Sequence, residues 1–104
     1  PTEQQSDVLT AGDLTLDTIT FSVERAGTPI QLTSKEFALL EYFLRNQGRP
    51  LSKEVIISHV WDYDADILPN TVEVYVKYLR NKIDTPFKTS LIHTVRGFGY
   101  KLEA

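Results

Sequence analysis

Along the chain the hydrophobic pattern changes period twice. Leu14 and Leu16, then Ile19, Phe21 and Val23, then Ile30 and Leu32 recur at a spacing of two, as half-buried strands require when alternate side chains face a core. Asp17-Thr18 and Arg25-Ala26-Gly27 punctuate these runs as turns, and the whole predicts a small antiparallel sheet, polar on one face. At Thr33 the period becomes helical. Thr33-Ser34-Lys35-Glu36 spells a capping box, in which the threonine oxygen and the Glu36 carboxylate satisfy two orphan amides reciprocally. Phe37, Leu40, Phe43 and Leu44 share the next helical face, and Gly48 suits the left-handed conformation that ends such a helix, so a first helix is expected to run to about Asn46.

Arg49-Pro50-Leu51 reads as an extended connector. Ser52 is placed to cap a second, short helix, with Glu54 near its positive end and Val55, Ile56 and Val60 as inward candidates before Trp61. Asp62 to Pro69 reads as a loop. Pro69 precedes a third helix, expected from about Asn70 to Asp84, and biases Leu68 away from helical geometry; Thr85-Pro86 stops the helix. Leu91 to Val95 and Tyr100 to Leu102 then flank Arg96-Gly97-Phe98-Gly99, a hairpin whose glycines permit positive φ in the turn.

The third helix separates two kinds of surface. At about 100° per residue, Val72, Tyr75, Val76, Leu79 and Ile83 form one stripe for the core. The opposite face shows Asn70, Val74, Lys77, Tyr78 and Asn81, flanked by Thr71 and Lys82 on one side and Glu73 and Arg80 on the other. A merely solvated face favours Glu and Lys pairs, whereas amides, an aliphatic, a tyrosine and cations suit a contact surface. Asparagine bonds an adenine edge bidentately, lysine reaches guanine or phosphate, and a valine methyl meets a thymine methyl. Arg96 at a glycine-flanked hairpin tip suits a minor groove attractive to arginine. A solvated face and an ordinary surface arginine are the bland alternatives.

Composition tempers this reading without overturning it. The 104 residues carry a net charge of -3, unexpected where phosphate neutralisation by Lys and Arg supplies affinity. The charge is unevenly spread. Through Pro69 there are five Lys/Arg against eleven Asp/Glu, but from Asn70 onward Lys77, Arg80, Lys82, Lys88, Arg96 and Lys101 face only Glu73, Asp84 and Glu103, an asymmetry that points to a polyanionic partner. With no cysteine, disulfides and thiolate metal sites are excluded and a reducing compartment, the cytoplasm, is expected. No apolar run suggests a membrane span, and none a signal peptide. Residues 1–8 are expected to be a linker tail from an upstream domain, with 9–104 as one domain; the lack of an initiating Met points to a fragment of something longer.

From about Leu9 to Leu102 the chain resembles the OmpR/PhoB-type response-regulator effector domain. Four motifs in order carry the resemblance: Leu32-Thr33-Ser34-Lys35-Glu36-Phe37-Ala38-Leu39-Leu40; Leu51-Ser52-Lys53-Glu54 with Val60-Trp61; Thr71-Val72-Glu73-Val74-Tyr75-Val76 with Leu79-Arg80; and Thr94-Val95-Arg96-Gly97-Phe98-Gly99-Tyr100. It implies an α+β fold, a winged helix-turn-helix with an N-terminal four-stranded antiparallel sheet, three helices and a C-terminal β-hairpin wing. It also implies sequence-specific binding of double-stranded DNA, commonly as direct repeats, with the third helix in the major groove and the wing arginine in the minor groove. Asn70, Val74 and Tyr78 fall where bases are met, joined by Arg96 from the wing. Thr71, Tyr75, Lys77, Arg80, Thr94 and Tyr100 fall where the DNA backbone is commonly met, and Lys82 is taken with them. Many relatives carry arginine at the positions of Asn70 and Tyr78, so base preference is open. The implied partners are a second copy of the chain, a sensor kinase acting through an absent receiver domain, and RNA polymerase at the loop of Asp62, Tyr63, Asp64 and Asp66. No cofactor, metal or membrane is implied.

Three rivals stand beside this reading. Asp62, Asp64, Asp66, Asn70 and Glu73 follow the ligand spacing of a calcium loop, but Ile67 occupies the position that needs glycine and Pro69 stiffens the segment. A solvated acidic loop fits better. An enzyme would draw on His59, His93, serines or these aspartates, and no nucleotide loop or metal-ligand helix accompanies them, so no catalysis is expected. A winged helix used only to bind protein stays open, because fold does not fix function.

Overall fold

The computed structural model describes residues 8–61, 67–87 and 89–104. Four short strands open the described chain, β1 (Val8–Ala11), β2 (Leu14–Asp17), β3 (Ser22–Arg25) and β4 (Thr28–Ile30), paired antiparallel in that order. Three helices follow, α1 (Ser34–Arg45), α2 (Lys53–Val60) and α3 (Pro69–Ile83), with a two-residue strand β5 (Leu51–Ser52) just before α2. The hairpin β6 (Ile92–Val95) and β7 (Gly99–Leu102) closes the chain, and β7 lies between β5 and β6 in a second sheet. This is the winged-helix arrangement, four-stranded sheet included.

Strand alternation places Ala11, Leu14, Leu16 and Val23 on the inner face of the first sheet, where they meet Phe37, Leu40, Phe43 and Leu44 of α1 in one core. Ala26 and Gly27 join β3 to β4 with φ of 53° and 81°, the left-handed pair that a two-residue hairpin turn demands. Local chemistry also sets the helix boundaries. The Thr33 hydroxyl accepts from the Glu36 amide at 3.3 Å and the Glu36 carboxylate accepts from the Thr33 amide at 2.9 Å, completing the capping box. Ser52 Oγ accepts from the Val55 amide at 3.1 Å, which starts α2. In α3, Pro69 occupies the first turn, where its missing N–H costs nothing.

Three expectations are corrected. Ile19 and Phe21 are not strand residues, because Asp17 Oδ1 accepts from the amides of Ile19 and Thr20 at 2.9 and 3.3 Å and folds residues 18–21 into a turn. Phe21 there has a φ of 56° and sets its ring 5.0 Å from that of Phe37, while remaining largely exposed. Val55 faces outward; Ile56 and Val60 carry the inner face of α2. Gly99 does not supply positive φ. Its backbone passes against Leu51, where an added Cβ would stand 2.0 Å from the Leu51 carbonyl oxygen. Leu51, read as connector, and Ser52, the cap of α2, also form a short strand that pairs with Tyr100 and Gly99.

Candidate nucleic-acid interface

α3 divides as its periodicity predicts. Val72, Val76, Leu79 and Ile83 are fully buried and Tyr75 partly so, while Asn70, Val74, Lys77, Tyr78 and Asn81 are exposed. Val74 and Tyr78 leave 41% and 48% of their surface open, so the outward face is part apolar. An aromatic relay steadies it. Trp61 meets the edge of Tyr75 at 5.3 Å between ring centroids, and Tyr75 meets Tyr78 at 5.8 Å. The relay anchors an exposed ring to the core, and edge-to-face geometry adds to its area burial.

The other flank of α3 faces the wing. Arg80 donates through Nη2 to Thr94 Oγ1 at 2.8 Å and through Nε and Nη2 to the Ile92 carbonyl at 3.3 and 3.2 Å, with its guanidinium 5.5 Å from the centre of the Tyr100 ring. Arg80, Thr94 and Tyr100 therefore form one cluster. These bonds engage Nε and Nη2 of a guanidinium that carries five N–H donors. Glu73, on the same flank, receives Lys53 Nζ at 2.7 Å. That bond holds the Lys53 ammonium above its ordinary value. A groove of about 460 Å³ runs between the starts of α2 and α3 and the base of the wing, lined among others by Ser52, Lys53, Pro69, Thr94, Gly97 and Tyr100.

Lys82 lies on the opposite flank. Its ammonium is 2.6 Å from Glu36 Oε1, joining α3 to the first turn of α1. Burial pushes the Glu36 carboxyl up, but the Lys82 ammonium and the Thr33 amide more than offset it and hold the group below its ordinary 4.5. Thr71 is half-buried at the first turn of α3. Arg96 is exposed in the three-residue turn Arg96-Gly97-Phe98, closed by the Phe98 amide on the Val95 carbonyl at 3.0 Å, and Gly97 takes a φ of 72°.

The loop residues Asp62, Tyr63, Asp64 and Asp66, and the cation Lys88, lie outside the described residues. Among the described residues no group of three or more His, Cys, Asp or Glu is arranged to hold a metal ion, and no helix is long and apolar enough to cross a membrane. His59 is exposed and stacks on Tyr42 at 4.5 Å, and His93 bonds the Glu103 carbonyl at 3.2 Å. Sequence reasoning missed Lys53 at the groove, since the approach of α2 to the wing is tertiary. It also missed two buried ionic residues behind the interface, Arg25 and Asp84, which stood in the sequence as a turn residue and a helix end.

A three-helix unit whose last helix shows amides, an aliphatic, a tyrosine and lysine beside an arginine-tipped hairpin is a winged-helix DNA-binding domain. A family model described as transcriptional regulatory protein, C terminal, matches residues 27–102. The transcriptional regulatory protein CusR of Escherichia coli strain K12 is 54% identical over 91 residues, covering 88% of this chain and 40% of CusR. The response regulator DrrB of Thermotoga maritima, an OmpR/PhoB homolog, superimposes with a TM-score of 0.82 at 30% identity, over 93% of this chain and 43% of that one. The DNA-binding domain of Bacillus subtilis CssR does so with a TM-score of 0.73 at 33% identity, over 86% of this chain and 98% of that one. The chain belongs to the OmpR/PhoB-type family of C-terminal effector domains of transcriptional regulators. It spans about two-fifths of the length of the curated relatives it matches.

Proposed function

We propose that the chain binds duplex DNA sequence-specifically as the output domain of a two-component response regulator, with α3 in the major groove and the wing in the minor groove. The observation that carries this is the exposed row Asn70, Val74, Lys77 and Tyr78 on a helix whose flank is tied through Arg80 to the hairpin bearing Arg96. Fifteen residues give α3 a length of about 22 Å, ample for a groove. Asn70, Val74 and Tyr78 read base edges, and Arg96 enters the minor groove. Thr71, Tyr75, Lys77, Arg80, Lys82, Thr94 and Tyr100 hold the phosphate backbone. Arg80 does so while braced by the wing, and Lys82 while sharing its ammonium with Glu36.

The wider protein is proposed on the same footing. An upstream receiver, phosphorylated by a sensor kinase, brings two copies head to tail onto direct repeats, and the acidic loop at Asp62, Tyr63, Asp64 and Asp66 meets RNA polymerase. No catalytic role is assigned. Selection from a random duplex library tests the reading, which predicts an enriched motif. Against that motif, Arg96→Ala is expected to weaken binding about tenfold across most sequences, while Asn70→Ala and Tyr78→Ala alter preference at single positions by about 1–3 kcal/mol. A library that yields no motif, or three variants with uniform losses, overturns it.

A further inference from the structure

We infer that Arg25, on the N-terminal sheet, is a positioning residue for duplex binding: it locks the wing to the end of α3 so that both DNA-facing elements act as one body. The inference rests on the proposed roles of α3 and the wing. Arg25 is fully buried although it ends a hairpin strand, a rare location for a guanidinium, which must be fully partnered there. Its partners lie on three separate segments. Nε donates to Asp13 Oδ1 at 2.8 Å in the β1–β2 turn; Nη1 donates to the Ile83 carbonyl and to Asp84 Oδ1 at 3.1 Å, at the end of α3; Nη2 donates to the Thr89 carbonyl and hydroxyl at 2.6 and 2.5 Å, just ahead of the wing. Phe87 packs its ring 5.0 Å from the guanidinium carbon.

Asp84 continues the chain of contacts into the wing itself. Its two carboxylate oxygens accept the amides of Leu91 and Ile92 at 3.0 and 3.2 Å. β6 is the edge strand of its sheet, so the outward N–H and C=O of Ile92 need partners from elsewhere. Both come from α3 and its C-cap, the N–H bonding Asp84 and the C=O accepting from Arg80. An apolar side chain could fill the volume of Arg25, but only a rigid planar fork fixes the mutual directions of a helix end, a strand entry and a turn. Buried ionic groups serve this kind of structural specificity in several systems. With the fork loosened, Arg96 no longer stands in register with α3.

A double-mutant cycle tests this on a selected duplex, at a temperature where circular dichroism shows every variant folded. Arg25→Lys, which cannot span the three segments, is expected to weaken binding about tenfold alone but less than about twofold when Arg96→Ala is already present. Thr89→Val, milder and removing one acceptor, is expected to lose about threefold alone and to show the same dependence on Arg96. Equal losses in both backgrounds overturn the inference. Amide hydrogen exchange on the free chain supplies a readout that needs no DNA. Arg25→Lys is expected to speed exchange at Leu91, Ile92 and the hairpin while the α3 interior keeps its protection, whereas a merely structural residue would lower every slow amide together. A wild-type chain that binds no duplex overturns the DNA reading, and the exchange pattern then decides the clamp by itself.

Discussion

Gly97 and Gly99 stand two residues apart in the wing, and substitution by alanine meets a different obstacle at each. At Gly97 the obstacle is conformational, since φ is 72° with open space around the missing Cβ, and left-handed geometry costs a non-glycine residue about 1–2 kcal/mol. At Gly99 it is steric, because the new methyl would collide with the Leu51 carbonyl and stand 3.0 Å from Ser52 Cα, backbone that yields only if β5 separates from β7. Gly97→Ala is therefore expected to lower stability by about 1 kcal/mol, and Gly99→Ala by more, about 2 kcal/mol or above. Equilibrium urea denaturation measures both, and equal losses would contradict this division. The two glycines look alike in the sequence, where a turn accounts for both. Only the tertiary approach of β5 tells them apart. Arg25 was obscured in the same way, since its partners lie from 12 residues away at Asp13 to 64 at Thr89.

At the scale of elements, what was legible is what local chemistry decides. The capping box at Thr33, the Ser52 cap and the 100° spacing of Val72, Val76, Leu79 and Ile83 set three helices and the outward face of the last. What was not legible depended on contacts across the chain or on competition within a turn. Asp17 drew Ile19 and Phe21 out of an alternating run by capturing two amides, and a two-residue strand such as β5 has no period of its own to detect. The pairing of Lys82 with Glu36 was also hidden, because each residue had a sufficient local explanation. That pair makes the α1–α3 contact pH-dependent. Because the folded Glu36 carboxyl lies below its ordinary 4.5, its contribution is present above that value and is lost as pH falls through the lowered one. Lys82→Met removes an offset to burial and raises the folded pKa, so acid destabilisation is expected to begin at higher pH than in the wild type. Urea midpoints from about pH 3 to 6 show the shift, and parallel profiles would contradict it.

For the molecule as a whole, the distribution of charge matters more than its sum. The net charge of -3 would disfavour a polyanion if it were spread evenly, yet from Asn70 onward cations outnumber acids six to three. Three of those cations are partly occupied within the fold, Arg80 by the wing, Lys82 by Glu36 and Lys101 by Glu103, and Glu73 of α3 is paired with Lys53. Among the described cations of this half, Lys77 and Arg96 stand exposed, so on the proposed reading they lead the charge offered to DNA, with Arg80 contributing from within its wing contacts. Such an interface predicts few phosphate contacts and a moderate dependence on salt. The direct measurement is fluorescence anisotropy of the chain on its selected duplex across a range of salt concentrations. About four to six phosphate contacts predict a log-log slope of about -4 to -5, and a slope near zero would contradict duplex binding through α3 and the wing.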